Sequence, residues 1–167
     1  MTRFPPQGDV RPAIYGVYSH LVNITFVANT DRTVPFDTNG ENSGITHSES
    51  VDNDEFTFPT QGVYQATIEP QTIRVIGASP QVMDSWVEID TGSGFAAIPN
   101  TNIKRSSDIA LDTGIAPLTN TFRVEIGDKI RFSSRSTSVD LRFEFTAAVG
   151  NVPNTPAAIL NIVRIGD

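Results

Sequence analysis

The chain has 167 residues, of which 38% are hydrophobic, with 12 Lys and Arg against 19 Asp and Glu for a formal net charge of -7, and no cysteine. That length suits one domain with room for a core, and the apolar share is too high for a disordered chain. Without cysteine there is no disulfide scaffold, thiol enzyme, zinc finger or iron-sulfur protein, and the two lysines, Lys104 and Lys129, do not make the clustered basic face that binding a nucleic-acid backbone demands.

Residues 1–13 carry Pro5, Pro6 and Pro12 with Gly8, which predicts an extended arm without ladder bonds of its own. The same segment lacks the apolar central region of a secretory signal, so a cytoplasmic site of synthesis is expected. No run approaches the roughly 18 apolar residues of a membrane helix, and no membrane partner is expected. Asn23-Ile24-Thr25 has the form of a glycosylation acceptor and reads as incidental without a secretory route.

From residue 14 to 167 a single domain is expected. Turn-forming residues recur roughly every eight to twelve positions between short apolar runs, the spacing of an all-β sandwich or barrel. Strands are predicted near 13–22, 23–29, 56–58, 62–69, 72–77, 85–90, 108–111, 121–126, 129–133, 139–147 and 157–165. Leu141, Phe143 and Phe145 share one face opposite Arg142 and Glu144, the period of a half-buried strand, and Phe122, Val124 and Ile126 repeat the pattern against Arg123 and Glu125. Gly127-Asp128 between Ile126 and Lys129 predicts a two-residue type II′ hairpin turn. Residues 35–54 are polar, without sustained alternation, and read as a long surface loop. The closing run, residues 157–165, is apolar on both faces, so something is expected to cover each side, and Ile159, Ile162 and Ile165 are its candidate oligomer-interface residues.

Reactive chemistry is sparse. The cluster His47-Ser48-Glu49-Ser50-Val51-Asp52-Asn53-Asp54-Glu55 lacks the glycine and the distant glutamate of a calcium loop and reads as a solvated acidic loop, with His47 at the surface. His20, in an apolar strand, reads as a satisfied, half-buried histidine. Thr91-Gly92-Ser93-Gly94 lacks the lysine and following helix of a phosphate loop and reads as a strand-to-strand turn. No serine lies in a nucleophile elbow. Among nineteen acidic residues a glycosidase pair has no sequence signature. No enzyme activity, metal or cofactor is expected. Trp86 alternates with Glu88 and Asp90, opposite Val87 and Ile89. Three readings stay open for it: a twist or bulge turns it into the core, it anchors an interface, or it stacks on a sugar ring.

Two segments carry a resemblance. The run Phe56-Thr57-Phe58-Pro59-Thr60-Gln61-Gly62-Val63-Tyr64-Gln65-Ala66-Thr67-Ile68, followed later by Val124-Glu125-Ile126-Gly127-Asp128-Lys129-Ile130-Arg131-Phe132, resembles the recurrent motifs of the tumour-necrosis-factor and complement-globular-head jelly rolls. The cysteine-free composition and Thr/Asn-rich loops look more like phage versions of that fold, typically trimeric virion components, than the secreted animal ones. The resemblance implies an all-β antiparallel sandwich, a jelly roll preceded by the extended arm. It also implies a homotrimer, placed at the capsid surface of a virion, that contacts the major capsid protein as a decoration (cement) protein. Arg3, Phe4, Pro5, Pro6 and Arg11 are the candidate capsid-docking residues, and Trp86 joins Ile159, Ile162 and Ile165 as a candidate interface residue. The alternative is the receptor- or carbohydrate-binding tip domain of a head or tail fibre.

Overall fold

The computed structural model describes residues 13–76 and 80–167. The capsid-docking candidates Arg3, Phe4, Pro5, Pro6 and Arg11 lie outside the described residues. The described chain holds fourteen strands and no helix, arranged as two antiparallel sheets that face each other as a sandwich.

The first sheet is built on β6 (Gly62–Arg74), whose burial alternates without a break over 13 residues. One edge of β6 carries β14 (Ala158–Gly166) and then β13 (Leu141–Phe143); the other carries β11 (Leu118–Val124) and then β10 (Thr113–Ile115). Beyond β14 lie β1 (Tyr15–His20) and the edge strand β3 (Thr38–Ser43). The sequence predicted two strands interrupted at Pro70, and the structure shows one. A proline removes a ladder donor, but here it stands where the partners change: β11 pairs with residues 62–68 and β10 with 71–73, so the missing N–H falls in the handover.

In the second sheet β12 (Lys129–Ser136) pairs along its length with β7 (Gln81–Asp90), and on its other edge with β5 (Phe56–Thr57) and β2 (Asp31–Thr33). The outer edge of β5 holds β4 (Thr46–His47), and that of β7 holds β8 (Ala96–Ala97) and β9 (Ile103–Ser107).

Three expectations are corrected. Residues 35–54 are not one loop, because β3 and β4 lie within them; edge strands need only backbone pairing, so Thr-Asn-Gly-Glu-Asn-Ser makes a ladder without apolar alternation. Residues 23–29 and 108–111 are not strands. Ile24 makes one bridge to Phe143, Phe26 is buried from a loop, and Leu111 has a φ of 60°. Finally, Gly127-Asp128 does not close a hairpin. β11 pairs in the first sheet and β12 in the second, so the segment crosses the sandwich. Its turn runs from Glu125 to Asp128, closed by Asp128 N–H on Glu125 O at 3.2 Å, and Gly127 stands third with a φ of 90°, the position where a type II turn requires glycine. The Asp128 carboxylate accepts from Glu125 N–H at 2.8 Å, and Ile126 is left exposed.

Aromatic rings knit the two sheets together. Phe56, on β5, lies 4.7 Å from Tyr18 of β1 and 5.4 Å from Phe36, with ring planes steeply inclined. Phe58 meets Tyr64 at 4.5 Å and Phe122 at 6.1 Å. Such edge-on pairs suit the ring quadrupoles. Tyr18 folds back along its own strand, and a Cβ on Gly16 would overlap its ring. Removing the central ring by Phe56→Ala should cost about 3–5 kcal/mol, and Gly16→Ala about 1–3 kcal/mol through overpacking; urea denaturation measures both, and a loss below half a kcal/mol for either would refute the packing role given to that residue.

Candidate functional site

Strand β7 turns Met83, Ser85 and Val87 into the sandwich and Asp84, Trp86 and Glu88 outward. The alternation seen in the sequence therefore holds, and Trp86 is half-buried on the outer face of the second sheet rather than turned into the core. Its neighbours follow from register. On β12, Arg131 lies opposite Glu88, Ser133 opposite Trp86 and Arg135 opposite Asp84, while Lys104 of β9 faces Asp84 from the other side. Ser133 has the outward parity of Arg131 and Arg135, yet it is only 2% exposed, so its larger neighbours close over it.

The Trp86 indole is held by its edge. Its Nε1–H donates to Glu88 Oε1 at 3.1 Å, while Glu88 Oε2 accepts from Arg131 Nε at 2.5 Å. The Arg131 guanidinium in turn sits 4.0 Å from the centre of the Phe95 ring. A second device shapes the opposite wall. Ile98-Pro99-Asn100-Thr101 is a tight turn with Pro99 second and Asn100 third at a φ of 64°, the residue preferences of a type II turn. Thr101, 5% exposed, rivets that turn to β7: its hydroxyl accepts from Val87 N–H at 3.1 Å and donates to Ile98 O at 2.8 Å. Ile98 N–H adds a bond to Val87 O at 2.9 Å.

Between indole and turn lies an open groove of about 530 Å³, lined by Asp84, Trp86, Ala97, Ile98, Pro99, Asn100, Asn102, Lys104 and Arg135. Its cations have acidic partners: Lys104 Nζ stands 3.6 Å from Asp84 Oδ1, and Arg135 Nε lies 2.5 Å from Asp31 Oδ1. The sequence reading found Trp86 but missed the turn. The Pro-Asn dipeptide at 99–100 was the available signal.

The other candidates fall elsewhere. Ile159 and Ile165 point out from the first sheet, the latter 54% exposed, while Ile162 is 1% exposed inside the sandwich. Trp86 belongs to the opposite sheet, so these four residues do not form one patch. His47 is half-buried rather than free at the surface. β4 stacks its ring on Phe56 at 4.5 Å with planes 10° apart, Nδ1 lies 2.8 Å from Asn39 Oδ1, and Nε2 lies 3.1 Å from Asn53 O. The carboxylates around it disperse: Glu49 accepts from Asn39 N–H at 2.8 Å and Glu55 pairs with Lys129 at 2.7 Å. Among the described residues no group of three His, Asp or Glu side chains is placed to hold a metal. His20 is 8% exposed, with Nδ1 3.1 Å from Asp37 Oδ2. Thr91–Gly94 does link β7 to β8, wrapped around Asp90, whose Oδ1 accepts from Gly94 and Gly92 N–H at 2.8 Å each; those bonds hold its carboxyl below the usual range.

Comparison with known proteins places the fold. No family model matches the chain, and no curated protein matches it. Among solved structures it is similar to the Eiger TNF of S. frugiperda, at a TM-score of 0.62 and 13% identity over 94% of this chain and 95% of that one. It is similar also to murine APRIL, at 0.58 and 9% identity over 92% of this chain and 100% of that one. The chain is an all-β sandwich of TNF-like jelly-roll form.

Two outcomes follow from the site. Thr101→Val should unfold more easily by about 1–3 kcal/mol, because a buried N–H and a carbonyl lose their partner, and the single tryptophan should report a looser groove by faster quenching with acrylamide; unchanged stability and quenching would refute the rivet. Burial lowers the pKa of both His20 and His47 below 6.5. The unfolded chain then binds protons more readily, so stability is full above 6.5 and falls as pH drops toward the lowered values. Proton NMR titration checks this, and midpoints above 6.5 would contradict it.

Proposed function

We propose that this chain is a structural virion protein, a capsid decoration (cement) protein that assembles as a homotrimer and stabilises a phage head. The observation that carries the reading is the uncovered outer face of the first sheet. β14 was expected to be covered on both sides, and among the described residues only its inner side is. Val163 and Ile165 on β14 are 41% and 54% exposed, and Val17 on β1 is 37% exposed. On β6 and β11 the same face continues with Gln65, Thr67, Thr119 and Thr121, with Thr67 Oγ1 and Thr119 Oγ1 3.0 Å apart. Asn161 stands between Val17 and Thr67 on this face, and Glu69 opposite Ile159 and Arg123 opposite Val63 lie toward its ends. A centre of valine, isoleucine, threonine, glutamine and asparagine with charge at the margin has the composition of an interface core with a polar rim. A second copy of the chain supplies the missing cover. Trimeric assembly then repeats each weak contact with the shell, which raises overall attachment without a large single interface.

The arm at residues 1–13 is the docking element of this reading, with Arg3 and Arg11 as cations on a protein of net charge -7. The groove at Trp86 favours a second reading, the receptor- or carbohydrate-binding tip domain of a head or tail fibre.

Native mass measurement should find an oligomer for the wild-type chain and a monomer for the double variant Val163→Glu, Ile165→Glu, with thermal stability of the fold retained. A wild-type monomer at micromolar concentration would remove the reading. Deleting residues 1–12 should lower occupancy on undecorated capsids severalfold, and unchanged occupancy would overturn the role of the arm.

A further inference from the structure

The geometry points to a saccharide-binding site in the groove beside Trp86, specific for a neutral sugar ring that stacks on the indole and is held at its rim by Asp84, Asn100 and Asn102. The inference deepens the recognition reading, and it is independent of trimerisation, because the groove lies on the sheet opposite the uncovered β14 face.

The argument begins with what the indole has left to offer. Its one polar group is already spent on Glu88, and Glu88 is itself held by Arg131. What Trp86 presents to the groove is carbon surface, in an orientation fixed before any ligand arrives. A pyranose ring has a complementary form: one face of C–H bonds, polarised by the neighbouring oxygens, and a rim of hydroxyls. The C–H face suits the electron-rich face of an aromatic ring, while each hydroxyl both donates and accepts. Amide and carboxylate side chains satisfy such a rim, because an amide offers both roles and a carboxylate accepts twice. Asn100, Asn102 and Asp84 line the groove beside the indole.

Charge selects among sugars. Lys104 and Arg135 also border the groove, but Lys104 has Asp84 at 3.6 Å and Arg135 has Asp31 at 2.5 Å. An anionic sugar would meet no uncompensated cation and would approach a body of net charge -7. A neutral one meets no such penalty. Preformation adds to this. The wall opposite Trp86 is the riveted turn of Pro99, Asn100 and Thr101, so little has to be ordered on binding. A volume of about 530 Å³ falls within the roughly 300–1,000 Å³ of small-ligand sites, which leaves room for more than one ring.

The chain contains one tryptophan, so its fluorescence reports this groove alone. The experiment titrates the full chain with a panel of neutral oligosaccharides built from glucose, galactose and N-acetylglucosamine, and with sialyllactose as the anionic comparison. The expected result is a saturable change in Trp86 emission with at least one neutral member. By calorimetry the same sugar should bind Trp86→Ala about tenfold more weakly and Asn102→Ala severalfold more weakly, with both variants folded by circular dichroism. Should Trp86→Ala misfold, the Asn102→Ala comparison decides alone. Binding that survives both substitutions overturns the site. Response to sialyllactose alone, lost with Trp86, overturns the neutral assignment while keeping a recognition role. No response to any member up to about 10 mM overturns both, as does an emission change that follows protein concentration without sugar, which would make the groove a contact between copies.

Discussion

Pairing along both edges of β6 is the constraint on which the remaining architecture depends. Thirteen residues alternate inward and outward without interruption, and four other strands take their register from them. Because the period of a strand is two, a slip of one residue would send Tyr64, Ala66 and Ile68 to solvent and bring Gln65, Thr67 and Glu69 into the core. The aromatic contacts between sheets, Tyr18 with Phe56 and Tyr64 with Phe58, hold only in the native register. Pro70 is tolerated within so long a strand because it stands at the exchange of partners.

The sandwich leaves two outer faces of different chemistry. On the first sheet, β14 and its neighbours present mainly uncharged residues of modest size, with Glu69 opposite Ile159 and Arg123 opposite Val63 toward the ends of the face. On the second sheet, acidic and basic residues oppose one another across strands, Glu88 with Arg131 and Asp84 with Lys104, and the one tryptophan stands among them. The two proposals made above, self-association and ligand recognition, therefore rest on opposite faces. Both sit on strands rather than mobile loops, and the one wall of the groove that is a turn is tied to β7 by Thr101.

Alternation was read correctly where one side of a strand meets the core and the other meets water, as in β7, β13 and the Phe122 and Val124 part of β11, and it ended at Ile126, which is exposed. It failed in two circumstances. Edge strands such as β3 are built from backbone bonds and show no apolar period, so they read as loop. Gly127-Asp128 has the local form of a hairpin turn, yet it carries the chain between sheets, since a turn dipeptide records a change of direction and not which strand the next segment will join. The groove was half legible: the exposed parity of Trp86 was visible in Ser85-Trp86-Val87-Glu88, whereas the turn that faces it lies more than ten residues further on and approaches only through the β7–β8–β9 pairing.

The sequence by itself determined the all-β class, the jelly-roll form implied by its two motifs, the inward faces of the long strands and the scarcity of reactive groups, because composition and a period of two are local properties. Tertiary structure alone decided that Ile162 belongs to the core while Ile165 does not, that His47 is stacked on Phe56, and that Trp86 has a rigid turn opposite it. Those facts depend on which strands become neighbours, a choice made by long-range backbone pairing and by the volume the rings must fill, and neither is written in any single stretch of the chain.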